Sequence, residues 1–382
     1  MTVQETLAAL VAFDSVSSRS NGEIVDYLAH RCDGLGFEVK RFPYSDDNGI
    51  EKVNLIALAG AEFGGAPPQI ELALVGHTDT VPYDPAWKEA LTLTECDGKL
   101  YGRGACHTKA FIAATLSAVD AVDLQKLTRP LALVFTADEE IGLIGAKRLA
   151  ETRALHARYA IVGEPTSLRP MRAGKGYCLA EITVKGREAH SAYPALGSSA
   201  VVGAARLITR IETIANRLRS DEHPAFDPPF TTLNVGIIRG GTAKNVIAGE
   251  CKFTLEWRPI PGQGPEKLLE LLSAAIEEEK KSDPELVFEV DAARTDQGYE
   301  TSANSRLVTL LEQLTGQKTG TVAFGTEAAQ MTGLGAEAVV MGPGDIRVAH
   351  RTGEFVPVNE LEQCVSILAK SLEELAVSQF QR

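Results

Sequence analysis

Apolar and polar positions follow two different rhythms along this chain, and the change of rhythm divides it. MTVQETLAALVAFDS and NGEIVDYLAHRCDGLG carry apolar residues at helical spacing, the second ending in a glycine suited to a helix C-cap. FEVKRF, NLIALAG and IELALVG then read as strands. After GRGAC come a helix (AFIAATLSAVDAV), a strand (LALVFTA), a helix (IGLIGAKRLAETRAL) and a strand (YAIVG). Strands this apolar, alternating with helices, predict a mostly parallel sheet covered on both faces. From Tyr177 the rhythm changes. CLAEITVKGR alternates like a strand exposed on one side, followed by a long helix (SAVVGAARLITRIETIANRLRS) and the strands FTTLNVGIIRGG and GECKFTLEWRPIP. A helix from Pro265 to about Lys281 and the strand LVFEVDAA complete a β-α-β-β-α-β order, which predicts a ferredoxin-like α+β sandwich. Beyond Arg294, SANSRLVTLLEQLTG and AEAVVMGPG return to the first style. The expected fold is α/β: residues 1–176 and 295–382 form one domain, and 177–294 are inserted into it. A length of 382 residues agrees, since it exceeds the roughly 250–300 residues that one hydrophobic core supports.

Charge removes several classes of partner. The net charge is −13 and no Lys/Arg block occurs, so neither nucleic acid nor an anionic membrane is an expected partner. No apolar run reaches the ~18 residues of a membrane span, and the N-terminal segment lacks the basic region of a signal peptide. The six cysteines include no C-x-x-C pair, which argues against a disulfide framework or a zinc knuckle and points to reduced thiols in the cytoplasm.

Open α/β sheets bind ligands beyond the carboxyl ends of their strands, and there the polar residues of this chain gather. IELALVG runs into His77 and Asp79, LALVFTA into Asp138, Glu139 and Glu140, YAIVG into Glu164, and AEAVVMGPGDIRVA into His350. The turn GRGACHTKAF adds His107. Singly, each has a plainer explanation: a His after a strand is commonly a hydrogen-bonded surface group, and Glu139-Glu140 suits a helix N-terminus. Four such residues at one end of one sheet favour a site. His77, Glu140, Glu164 and His350 supply the nitrogen and oxygen donors that suit Zn²⁺, Co²⁺ or Mn²⁺. Asp79 is placed to accept the other ring N–H of His77, and Glu139 to act as general base on an activated water.

With these residues in view, the chain resembles the M20 family of metal-dependent amidohydrolases and exopeptidases over essentially its full length. The segments that carry the resemblance are GHTDTVP, GRGAC…K, ADEEIGLIGA, GEPT, REAHSAYPALG, KNVI, WRPIPG, GTEA and GPGDIRVAH…EFV. FGTEAAQM and GPGDIRVAHRTGEFV are most similar to the branch that deacetylates ornithine-like amino acids; desuccinylases and carboxypeptidases are the alternatives. The resemblance implies a catalytic domain holding two metal ions, and an inserted lid through which the chain forms a homodimer. It also implies hydrolysis of an amide on a small N-acyl amino acid with a free carboxylate. Carried over by position, His77 and Glu164 hold one ion, and Glu140 and His350 the other. Glu139 is the base and Asp79 orients His77. His190 reaches a neighbouring active site across the dimer to stabilise the oxyanion, and Asn245 and Arg258 contact the substrate.

One position departs. Where the family reads G-x-x-D-x-K-G, this chain reads Gly104-Ala-Cys-His107-Thr-Lys-Ala110, so His107 replaces the carboxylate that bridges the two ions. Two divalent ions ~4 Å apart repel by about 16 kcal/mol at an effective dielectric of ~20. A bridging carboxylate offsets much of this; a neutral imidazole offsets none. Three readings stay open: one ion ligated by His107, two ions bridged by hydroxide or another anion, or a metal-poor, non-catalytic relative.

Overall fold

The computed structural model describes residues 1–377. The chain divides into two compact units. The first comprises Met1–Arg172, Glu300–Gly320 and the described residues from Thr326 onward; the second comprises Ala173–Tyr299 and Thr321–Gly325.

In the first unit the strands Leu131–Thr136, Gln69–His77, His156–Val162 and Glu337–Val340 lie side by side and parallel. Every residue of Leu131–Thr136 is buried, as expected for a strand covered on both faces. Glu51–Ala59 and then Glu38–Ser45 extend this sheet antiparallel. The reversal comes from a tight turn: Asp46 Oδ1 accepts from the backbone N–H groups of Asn48 and Ile50. A short connection of this kind forces an antiparallel pair, because a parallel one needs a crossover of a dozen residues or more. Glu38–Ser45 is the edge, and its exposed Lys40 and Arg41 discourage further pairing. Leu7 and Leu10 of helix Val3–Ala12, Phe111 and Ile112 of Lys109–Asp120, and Leu361 and Leu368 of Val358–Leu372 share one apolar core with the sheet. The first of these helices opens with a capping box, in which Thr2 and Glu5 each accept the other's backbone N–H. Where the chain leaves and re-enters this unit, the Thr301 N–H donates to the Arg172 carbonyl at 2.8 Å.

The second unit is a four-stranded antiparallel sheet in the order Thr232–Gly240, Glu250–Arg258, Tyr177–Lys185, Val287–Asp296. With helices Ala200–Leu218 and Glu266–Ser282 buried against it, this is the ferredoxin-like connectivity. The edge strand Thr232–Gly240 leaves Ile237 and Ile238 exposed. A two-residue ladder pairs Ala189–His190 with Val246–Ile247.

Candidate metal centre

Because the four parallel strands of the first unit run the same way, the residues after them emerge on one side. His77 ends its own strand, Asp138 to Glu140 follow Thr136, Glu164 follows Val162, and His350 follows Glu337–Val340 through a short 3₁₀ turn, Ile346–Val348.

Glu139 and Glu140 do not open a helix. The expected helix from Ile141 starts only at Ile144, because residues 138–143 form a separate turn in which Asp138 (φ 56°) and Leu143 (φ 58°) are left-handed. That turn is pinned from three directions. Asn54 accepts from the Ala137 N–H and donates to the Gly145 carbonyl, both at 3.0 Å. A Cβ at Gly145 would lie 2.3 Å from Asn54 Oδ1, so glycine is required there. The Asp138 carboxylate accepts from Lys52 Nζ at 2.7 Å and from the Tyr44 hydroxyl at 2.9 Å. The Asp79 carboxylate accepts the N–H groups of Glu139 (3.1 Å) and Glu140 (3.2 Å), and the Ser17 hydroxyl at 2.7 Å.

Asp79 meets the His77 ring with its main chain as well as its side chain. His77 Nδ1 lies 2.9 Å from the Asp79 carbonyl oxygen and 3.5 Å from Asp79 Oδ1, so the nearer contact is to the backbone. The carboxylate is spent on the Glu139-Glu140 turn. Nδ1 is committed to Asp79 either way, which turns Nε2 toward the neighbouring ligand-type residues.

His107 sits at the middle of the group. Its Nδ1 is 3.0 Å from Glu140 Oε1, and its Nε2 is 2.8 Å from Glu164 Oε2. The ring centroid lies 4.8 Å from that of His77 and 4.8 Å from that of His350. His350 Nε2 is in turn 2.9 Å from Glu140 Oε1. These approaches to His107 are short but lack hydrogen-bond direction: His77 Nε2, His107 Nδ1 and Glu164 Oε2 are buried with no hydrogen-bond partner. Buried polar atoms are seldom left so, and three ligand-type atoms without a hydrogen-bond partner on neighbouring side chains fit a set of metal ligands. Among the described residues, His77, His107 and Glu140 each bring one ligand atom within 4.8 Å of the others.

The charges are strongly coupled. Burial opposes a proton on His77, but Asp79 and Glu139 outweigh it and push the ring up to about 10. Burial likewise opposes charge on His107, yet Glu164 and Glu140 hold it well above its ordinary value. Burial raises Glu139 well above the usual carboxylate range, against the pull of His77 and with Glu164 and Glu140 adding to it. Burial would raise Glu140 too, but His107 and His350 hold it below that range. Glu139 Oε2 borders the same spot, 3.9 Å from His77 Nε2.

The remaining expected residues belong to the second unit. His190 is exposed, its Nδ1 accepting from the Ala192 N–H at 3.1 Å. Asn245 is exposed, and its carbonyl accepts from the Ser191 N–H. Arg258 is engaged within that unit, with Nε on Glu256 (2.8 Å), Nη1 on the Ala323 carbonyl (2.9 Å) and the guanidinium over the Tyr177 ring.

Several residues that shape the centre escape a reading of the sequence. Glu354, within the quoted EFV segment, is buried and accepts from the backbone of Cys106 and His107. Glu327, in GTEA, is buried with the Thr136 hydroxyl on its carboxylate, and burial lifts it to about 7. Thr108, one of the departures from the family pattern, donates to the Gly163 carbonyl at 2.9 Å and so ties the His107 turn to the Glu164 segment.

Known proteins give the same picture. The family described as Peptidase family M20/M25/M40 matches residues 73–374. An acetylornithine deacetylase of Myxococcus xanthus is 52% identical over 97% of this chain and 96% of its own length. Another, from Proteus mirabilis (strain HI4320), is 35% identical over 97% of this chain and 94% of its own. Among solved structures, a tripeptidase of Staphylococcus aureus superposes with a TM-score of 0.76 at 22% identity, covering 98% of this chain and 97% of its own; at that identity the likeness speaks for the fold. A match across most of the chain, with relatives of this identity along nearly all of it, places the protein in peptidase family M20/M25/M40.

Proposed function

We propose that this chain removes the acetyl group from N-acetylornithine, as a cytoplasmic homodimer charged with Zn²⁺ or Co²⁺. Family membership already makes it a metal-dependent hydrolase of amide bonds. The finer reading is supported by the two acetylornithine deacetylases that match nearly end to end. One observation carries the chemistry: the orphaned lone pairs of His77, His107 and Glu164 at the strand ends.

His77, His107, Glu140, Glu164 and His350 are the residues that would hold the metal. When bound, divalent ions polarise an acyl carbonyl and lower the pKa of water. Glu139 borders that group and is held by burial as a weak acid, so it is suited to take the proton of the attacking water. It then returns that proton to the departing amine of ornithine. The Asp79 carboxylate, by accepting two backbone N–H groups, keeps Glu139 and Glu140 at their stations. From the second unit, Asn245 and Arg258 contact the substrate, and His190 serves the oxyanion of the partner subunit's site.

The test is a substrate panel with metal-replete protein: N-acetylornithine, N-succinyl-diaminopimelate and a dipeptide with a free carboxylate. The highest kcat/KM is expected for N-acetylornithine. A preference for either of the others moves the assignment to a sister activity, and turnover of none defeats it.

A further inference from the structure

The replacement of the expected carboxylate by His107 leaves one question: how can two ligand sets be joined without it? The position of the ring gives an answer that a single nitrogen does not. His107 has two nitrogens, and they face different partners. Nδ1 lies 3.0 Å from Glu140 Oε1, whose other neighbour is His350 Nε2 at 2.9 Å. Nε2 lies 2.8 Å from Glu164 Oε2. His77, whose Nε2 is buried and unpartnered, has its ring centroid 4.8 Å from that of His107. The ring is equally far, 4.8 Å between centroids, from His77 and from His350. His107 thus stands between Glu140, which His350 also touches, and Glu164, with one ring nitrogen turned to each.

We propose that His107 bridges two divalent ions through its two ring nitrogens, Nδ1 serving the ion held by Glu140 and His350, and Nε2 the ion held by His77 and Glu164. The proposal rests on the metal-dependent reading above. The first ion takes the free lone pair of a neutral ring. When the second metal–nitrogen bond forms, the remaining ring N–H proton leaves to solvent, and the ring becomes an imidazolate carrying one negative charge. This restores both things the missing carboxylate would have supplied, a bridge and an anion between two cations. It also changes the spacing. Two Zn–N bonds of about 2.0–2.1 Å on either side of the ring separate the ions by roughly 6 Å. Carboxylate- or hydroxide-bridged pairs stand about 3.5–4 Å apart. Coulomb repulsion falls as distance rises, so the wider pair repels by about a third less than one at ~4 Å. Thr108 and Glu354 hold the ring in this place, through the Gly163 carbonyl and through the His107 N–H respectively.

The experiment is to load metal-free protein with Zn²⁺, crystallise it, and locate the ions by anomalous scattering at the zinc edge. Two ions roughly 6 Å apart, one on each nitrogen of His107, are expected, and His107→Asp should draw them in to about 3.5–4 Å. In solution, Cu²⁺ gives an independent reading. A second equivalent should quench the paramagnetic resonance signal of the first in the native chain, through exchange across the shared ring. A single ion bound within His77, His107 and Glu140, or two ions at the shorter spacing, overturns the bridge but leaves the hydrolase reading intact. Protein that takes up no ion overturns both.

Discussion

One carboxylate oxygen of Glu354 accepts the backbone N–H groups of Cys106 and of His107, each at 2.9 Å, while its other oxygen pairs with the buried guanidinium of Arg103. A residue just beyond His350 thereby holds the turn that presents His107. Two segments far apart in sequence are locked by a single side chain.

Glu354→Ala strands the Arg103 charge in the interior and leaves two backbone donors unpaired. Breaking a buried ion pair on one side costs about 3–5 kcal/mol, and that loss is expected in urea unfolding of metal-free protein. Glu354→Gln, which keeps an acceptor oxygen for the turn, should lose distinctly less. Equal losses would mean that the charge of Glu354, which both variants remove, accounts for the whole effect and its acceptor oxygen for none.

Glu139→Gln is expected to cut kcat by roughly 10²–10⁴, the usual contribution of a general base, while elemental analysis finds the metal content of the native chain. Glu140→Gln should instead lose metal, because Glu140 Oε1 touches both His107 and His350. If the metal contents of the two variants are reversed, so are the roles assigned to the two residues.

Metal uptake should strengthen as pH rises. In the metal-free centre His77 is pushed from 6.5 to about 10, so at neutral pH an incoming ion must displace its proton. The sign for stability is opposite. A ring whose pKa is raised on folding stabilises the fold fully below its unfolded value of about 6.5 and ceases to do so near 10. Metal-free protein should therefore lose stability between pH 6.5 and 10 while its affinity for Zn²⁺ grows. Melting curves and zinc titrations across that window check both. A flat affinity profile would show that His77 binds no metal.

If His190 serves the partner subunit's site, His190→Ala and Glu139→Ala homodimers should each be inactive, and mixing them should restore part of the activity. A mixed dimer contains one site with both residues intact. The measurement is turnover after subunit exchange, with exchange followed by differently tagged chains. Exchange without recovery would place His190 outside the chemistry.

The strand ends were legible because strands buried on both faces write themselves as unbroken apolar runs, and the polar residues after them stand out. Hence His77, Glu139, Glu140, Glu164 and His350 could be named from the sequence, and the structure brings them together. What supports them was not legible. Lys52 reaches Asp138 across 86 positions, and Glu354 reaches His107 across 247. No periodicity encodes such contacts, and Lys52 sits in a strand that otherwise reads as core. The start of the helix at Ile144 is hidden for a related reason: IGLIG has helical spacing, but three outside side chains, Asn54, Lys52 and Asp79, hold residues 138–143 in a turn instead. The hold of Glu256 on Arg258, two residues away on the same strand, is likewise a contact that no motif announces.

The hydrogen bond from Thr301 to the Arg172 carbonyl has a use beyond architecture. It brings the departing and returning ends of the chain side by side, so residues 173–299, which with Thr321–Gly325 make up the second unit, leave and rejoin the first unit at one place. A brief glycine–serine link from Arg172 to Glu300 can span that gap, since Arg172 and Thr301 are already hydrogen-bonded. Such a shortened chain would isolate the histidine and glutamate cluster on a smaller scaffold, where metal loading could be studied free of substrate recognition.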